Sequence, residues 1–179
     1  MSLGLQRGTV KLSEHDSSWK DIFDAEKIEL QKIFEDSIIG VEHIGSTSIP
    51  GIKAKPILDL MVAIPSLDGW KEYENGLQKL GYQFRTDFRE TQGNVLFVKG
   101  PEDSRTHYLK LTELGSDFWV EHLLFRDFLI SHPESRQEYE DIKTTLLETY
   151  KGDRKPYTEG KKAFIEKILK LAGYTGKIL

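Results

Sequence analysis

Val41-Glu42-His43-Ile44, then Gly45-Ser46-Thr47-Ser48-Ile49-Pro50-Gly51, then Ile57-Leu58-Asp59-Leu60-Met61-Val62-Ala63-Ile64 is the stretch on which the fold turns. The first four residues read as a short extended run. Small residues, Pro50 and two glycines make the next seven a loop or turn. Pro56 and Pro65 bound the apolar run that follows. Proline removes a backbone donor and clashes inside a helix, so that run reads as a strand. Side chains alternate along a strand. Leu58, Leu60, Val62 and Ile64 therefore form one fully apolar face, and Ile57, Asp59, Met61 and Ala63 form the other.

Upstream, Ser18 precedes Asp21 by three residues as a loose capping box. Trp19, Ile22, Phe23, Leu30, Ile33 and Phe34 follow at helical spacing, and Gly40 ends that unit. Downstream, Trp70, Tyr73, Leu77 and Leu80 make a second helical stripe closed by Gly81. Strands are expected near 82–85 and 94–99, with a turn at Gly100-Pro101 and another strand over 106–112. From Asp117 the pattern is helical: Phe118 to Ile130, Pro133 to about Tyr150, and a last helix capped by Thr158 that carries Phe164, Ile165, Ile168, Leu169 and Ala172. The order predicts an α+β fold, a small mixed β-sheet with flanking helices and a helical C-terminal part. One unit is expected over 1–179, with the sheet in about 1–115 and the helical part in about 116–179.

The chain has 179 residues, 38% of them hydrophobic and 30% charged, with a mean hydropathy of -0.45. These values suit a soluble globular protein and neither a disordered nor a membrane chain. Cysteine is absent, which excludes disulfide scaffolds, thiolate zinc sites, iron–sulfur clusters and cysteine nucleophiles. The formal charge of -4 offers no global basic field for a long nucleic acid. Met1 to Val10 lacks an apolar core of signal-peptide length, so a cytoplasmic location is expected. Charge is uneven: residues 113–148 hold nine acids and three bases, while 151–170 hold seven bases and three acids. Solvated helix faces explain both runs; a ligand-facing basic patch is the alternative for the second.

Gly45-Ser46 and Asp59 carry the chemistry. A Gly-Ser turn lets backbone N–H groups approach an anion, and a carboxylate on the next strand can hold a divalent metal beside it. Together they can position a nucleoside triphosphate. The plainer alternative for Asp59 is a structural acid satisfied by backbone N–H groups.

The run Glu42 to Gly51, followed by Ala54-Lys55-Pro56-Ile57-Leu58-Asp59-Leu60, closely resembles the signature of the GrpB family. Arg105-Thr106-His107, Phe125-Arg126-Asp127-Phe128-Leu129, His132-Pro133-Glu134, Tyr157-Thr158, Lys161, Phe164 and Ile165 recur in family order, so the resemblance covers about the whole chain. GrpB-like proteins are similar to the nucleotidyltransferase superfamily of polymerase-β-like folds, and some are fused to dephospho-coenzyme A kinase. The resemblance implies transfer of a nucleotidyl group from a nucleoside triphosphate with Mg²⁺, Asp59 being the catalytic acid and metal ligand. It implies Gly45, Ser46, Thr47, Ser48, Lys55, Arg126 and Lys161 as nucleotide- or phosphate-binding residues, and Lys110 joins them as a cation useful beside a phosphate. Glu42, His43, His107, Tyr108 and Tyr157 are further candidates.

The chain departs from the superfamily pattern where Met61 stands in the second acid's place. A thioether is a poor ligand for hard Mg²⁺. Tyr108 and Lys110 replace possible ligands on the later strand and share a face there, while His107 points the other way. Three functions stay open: a nucleotidyltransferase; a nucleotide- or phosphometabolite-binding protein without the acid pair; and a partner-docking module using the acidic helical face.

Overall fold

The computed structural model describes residues 3–34, 40–85 and 93–176. Its elements are α1 (Ser18–Phe34), β1 (Gly40–Ile44), a 3-10 turn (Ser46–Ser48), β2 (Leu58–Ile64), a 3-10 helix (Leu67–Tyr73) running into α2 (Glu74–Lys79), β3 (Tyr82–Phe84), β4 (Val95–Lys99), β5 (His107–Glu113), α3 (Asp117–Ser131), α4 (Pro133–Tyr150), α5 (Arg154–Gly160) and α6 (Lys162–Leu171). The strands form one mixed sheet in the order β1-β2-β5-β4-β3. β2 and β5 pair in parallel, and the other neighbours are antiparallel. This is the α+β arrangement of sheet, flanking helices and helical C-terminal segment expected from the sequence.

β2 lies inside the sheet with both faces covered, which is why its sequence is a near-continuous apolar run. Leu58, Leu60, Val62 and Ile64 pack against Trp19, Leu30 and Phe34 of α1 and against Trp70 and Leu77. Met61, on the opposite face, packs with Ile44 and with Phe118 of α3. Among the seven residues of β2, only Asp59 escapes full burial. A further cluster ties Ile49 and Ile52 of the turn region to Leu129, Tyr139, Phe164 and Ile168, so the C-terminal helices clamp the segment between β1 and β2. Lys53 reinforces that clamp: its N–H donates to Glu140 at 2.7 Å, and its carbonyl accepts from the Lys143 ammonium.

Three local expectations need correction. Asp16, not Ser18, caps α1; its carboxylate accepts from the Ser18 N–H at 3.0 Å and from the Ser18 hydroxyl at 2.6 Å. Asp153 caps α5 by accepting from the Lys155 N–H at 3.1 Å, so Thr158 sits inside a short extra helix and starts nothing. Gly40 opens β1; the predicted link from α1 to it crosses 35–39, outside the described residues. In each case a nearby Asp or a strand boundary competed with an equally plausible cap residue, and periodicity does not distinguish them.

His43 and His107 are buried, at 9% and 6% exposure. Burial lowers both to about 4, with nearby Asp59 and Glu26 opposing the shift in turn. An unfolded histidine takes its proton near pH 6.5, so between about pH 6.5 and about pH 4 the unfolded chain binds protons that the folded chain refuses. Stability is therefore expected to fall with pH across that window, by up to about 1.4 kcal/mol per pH unit for each histidine. Urea midpoints measured across the window check this. A flat profile, or an unchanged slope in His107→Gln, contradicts it.

Candidate functional site

Gly45 joins β1 to the 3-10 turn at φ 69° and ψ -175°, a backbone conformation that is essentially restricted to glycine. It also lies against Asp59. A Cβ at Gly45 would stand 2.7 Å from Asp59 Oδ2 and 3.1 Å from Asp59 Cβ. The turn is then fastened from within. The Ser48 hydroxyl donates to the Gly45 carbonyl at 2.6 Å, and Thr47 Oγ1 meets His43 Nε2 at 2.9 Å. Thr47 and Ser48 thus serve the turn itself. Ser46 instead lines a cavity with Tyr139 of α4.

Beneath the turn is a cavity of about 100 Å³. Its walls are Gly45, Ser46 and Thr47, then Lys55 and Ile57 of the loop, Asp59 of β2, and Tyr139, Tyr157 and Lys161 from the helices. Lys110 of β5 stands beside it, its ammonium 3.7 Å from Asp59 Oδ1. The cations rest on aromatic faces: Lys161 lies 4.8 Å from the Tyr157 ring centroid, Lys143 4.7 Å from Tyr139, Lys110 5.7 Å from Phe118 and Arg154 5.8 Å from Tyr108. Among the described residues, neither Lys55 nor Lys161 has a carboxylate within 4.0 Å. One carboxylate faces three lysines.

The electrostatics follow. Burial lowers Lys161 to about 7; the neighbouring Lys55, Lys143 and Lys110 push the same way and Asp59 opposes them. Burial likewise lowers Lys55, opposed by Asp59 and reinforced by Arg154 and Lys110. Tyr139 is pushed up to about 12 by burial, and Tyr157 is raised for the same reason, so both hydroxyls keep their protons at neutral pH.

These residues do not fit a divalent cation. Mg²⁺ takes oxygen ligands, and the cavity supplies one carboxylate, already beside an ammonium. Met61 is fully buried among apolar side chains. Glu42 is engaged elsewhere, accepting from Arg126 at 2.6 Å. Among the described residues no group of three or more His, Asp or Glu side chains could hold a metal.

The structure brings together Gly45, Ser46, Thr47, Lys55, Asp59, Tyr157 and Lys161 around the cavity, with Lys110 and Tyr108 on the same sheet face. It separates the others. Arg126 bridges α3 to β1 through Glu42 and the His43 carbonyl, at 2.6 and 2.9 Å, and also holds Asp127. With His43 and Ser48, Arg126 lines a larger open groove of about 480 Å³ on the other side of the turn. Charges in that groove are already neutralised, Lys20 by Asp24 and Arg126 by Glu42 and Asp127, so the smaller cavity is the stronger candidate. His107 faces the opposite side of the sheet, near Tyr82.

Tyr139 and Lys143 were not anticipated. A signal existed: Tyr139-x-x-x-Lys143 and Tyr157-x-x-x-Lys161 repeat one spacing, which stacks the lysine over the ring one turn away.

Known proteins resemble this chain over most of its length. The family model described as GrpB protein matches residues 9–171. The glutamate-rich protein GrpB of Alkalihalophilus pseudofirmus is 37% identical over 171 residues, covering 93% of this chain and 98% of that protein. The crystal structure of conserved protein GrpB from Enterococcus faecalis superposes with a TM-score of 0.81 at 30% identity, covering 90% of this chain and 96% of that one. More distantly, a dephospho-CoA kinase of Mycobacterium leprae is 26% identical over 70% of this chain but only 37% of its own length.

The close contact at Gly45 yields a prediction. Gly45→Ala is expected to destabilise the fold by more than Gly51→Ala. Gly51 also has positive φ, at 79°, but a Cβ there meets nothing within 4 Å. The backbone term is on the order of 1–3 kcal/mol at either position; the clash with Asp59 adds to it only at Gly45. Urea denaturation of the two variants measures the difference, and equal losses would contradict the contact.

Proposed function

The chain belongs to the GrpB family, and from that premise we propose that it binds a small phosphorylated ligand, nucleotides foremost, in the cavity beneath the Gly45–Ser46 turn. One observation carries this reading: Lys55, Lys110 and Lys161 converge on a cavity that offers a single carboxylate. All three ammonium groups are half-buried, Lys110 alone stands beside a carboxylate, and clustered positive charge of this kind is relieved by an anion. The ligand's phosphoryl group sits among the three lysines, within reach of the small turn residues. At about 100 Å³ the cavity is below the roughly 300–1,000 Å³ that encloses drug-sized ligands. The remainder of the ligand therefore extends outward from the turn.

Binding also couples to protonation. Lys161 is lowered to about 7 by burial, so near neutral pH an arriving anion draws a proton onto it. Affinity rises as the pH falls from about 8 to about 6, because the charged lysine is the form that binds.

Nucleotidyl transfer is the second reading. Asp59 lying directly under a Gly-Ser turn supports it, as does the distant likeness to a protein named dephospho-CoA kinase. Buried Met61 and the Lys110 ammonium beside Asp59 weigh against it.

Thermal-shift measurements with inorganic phosphate, pyrophosphate and nucleoside mono- and triphosphates, with and without Mg²⁺, test both. Binding predicts a raised melting temperature without Mg²⁺, larger at pH 6 than at pH 8 by the protonation argument. Lys55→Ala and Lys161→Ala each weaken affinity on the order of tenfold to a hundredfold, the range for a charge-assisted contact. Stabilisation that appears only with Mg²⁺, together with nucleotide turnover abolished in Asp59→Ala, favours transfer. No shift with any of these anions sinks the binding proposal.

A further inference from the structure

We infer that Lys161 is a carbonyl-capturing amine: the cavity accepts a small aldehyde or ketone bearing an anionic group and joins it to Lys161 Nζ as an imine. The inference rests on the anion-binding reading above, because Lys55 and Lys110 hold the ligand's anionic end. A nucleophilic lysine needs a desolvated position, cationic neighbours and no carboxylate partner. Lys161 meets all three. It is half-buried where it lines the partly open cavity at the junction of α5 and α6. Facing it are Lys55 from the loop, Lys110 from β5, Lys143 and Tyr139 from α4, Tyr157 from α5 and Asp59 from β2. Among the described residues no carboxylate stands within 4.0 Å of it. Burial with these cations lowers it to about 7, which leaves a useful share of neutral amine at physiological pH.

Two of the neighbouring lysines are engaged. The Lys143 ammonium donates to the Lys53 carbonyl, and Lys110 stands beside Asp59. Lys55, which like Lys161 has no carboxylate within 4.0 Å among the described residues, lies on the loop before β2 and is assigned to the ligand's anionic end.

The step balances without an oxidant or reductant. The Nζ lone pair attacks the carbonyl carbon and forms a C–N bond as the C=O π pair moves onto the oxygen. The carbonyl oxygen takes one proton and the nitrogen loses one, giving a carbinolamine. The nitrogen lone pair then forms C=N as the C–O bond breaks, the hydroxyl leaves with a second proton as water, and the nitrogen gives up its remaining proton to replace it, so amine plus carbonyl becomes imine plus water. Tyr157 and Tyr139 keep their protons because burial raises them, and they are the donors on that wall. Asp59 is the carboxylate available to accept.

Glyoxylate, an aldehyde with a carboxylate, is the probe. The protein is incubated with it near pH 7.5, a little above the amine's titration, reduced with borohydride and mapped by mass spectrometry. One fast addition is expected at Lys161, at least about tenfold faster than at the exposed Lys162 and Lys170. Lys161→Arg abolishes that fast addition, Lys170→Arg does not, and inorganic phosphate slows it. Fast addition at Lys55 instead, or equal labelling of native and urea-unfolded protein, overturns the assignment. Phosphate-induced stabilisation without fast labelling sinks the imine inference alone. Absence of both sinks the anion-binding reading with it.

Discussion

The backbone of Gly45 rests against the carboxylate of Asp59, and the site is arranged around that contact. Two requirements meet in one residue. The chain must leave β1 in a conformation open essentially to glycine, and it must do so with no side chain over the strand that follows. Once that is met, the 46–48 turn can cross above β2, with the Thr47 and Ser48 hydroxyls spent on holding it. The helices then close the remaining side with Tyr139, Tyr157 and Lys161. A glycine read in sequence as an approach for phosphate is, in the fold, first an approach for the protein's own carboxylate.

Positive charge is the second organising fact. Elsewhere on this molecule cations find carboxylates, as Lys99 does with Glu26 at 2.8 Å and Lys167 with Glu138 at 2.7 Å. Those two also lie over rings, Tyr82 and Phe164, whereas around the cavity Lys143 and Lys161 have the ring without a carboxylate within 4.0 Å among the described residues, and Lys110 has both Phe118 and Asp59. A ring accepts a cation without neutralising it, so these lysines are positioned yet stay electrostatically available. The same choice removes the oxygen ligands that a hard metal ion needs. An enclosure of this composition suits an anion, and it disfavours the two-metal arrangement implied by likeness to polymerase-β-like proteins.

Much of the fold was legible because few physical signals were needed. Prolines at 56 and 65 bracket β2, and the helical spacing of Trp19, Phe23, Leu30 and Phe34 marks α1. Caps were less legible, since Asp16 and Ser18, or Asp153 and Thr158, are both competent and only the backbone path selects one. At the site, Gly45 and Asp59 could be named from the chemistry of a Gly-Ser turn before a strand acid, and Lys55 and Lys161 from the family resemblance. Arg126 looked the same in sequence, but its position one strand away commits it to Glu42 and the β1 backbone. Alternation put Tyr108 and Lys110 on one face of β5; that this face lines the site, with Asp59 beside Lys110, required the parallel register that sets Asp59 opposite Tyr108 and Met61 opposite Lys110.

That parallel register has a consequence in time. β2 and β5 are sequence-distant, and β3, β4 and α2 lie between them in the chain. Parallel partners cannot be joined by a tight hairpin, and non-local pairings form slowly because loop-closure entropy must be overcome first. β1 and β2, β3 and β4, and β4 and β5 are each neighbours in sequence order and can associate early. Asp59 and Lys110 meet only across the late seam, so an assembled cavity marks a chain that has finished folding. An intermediate with every hairpin in place would still lack its lysine cluster.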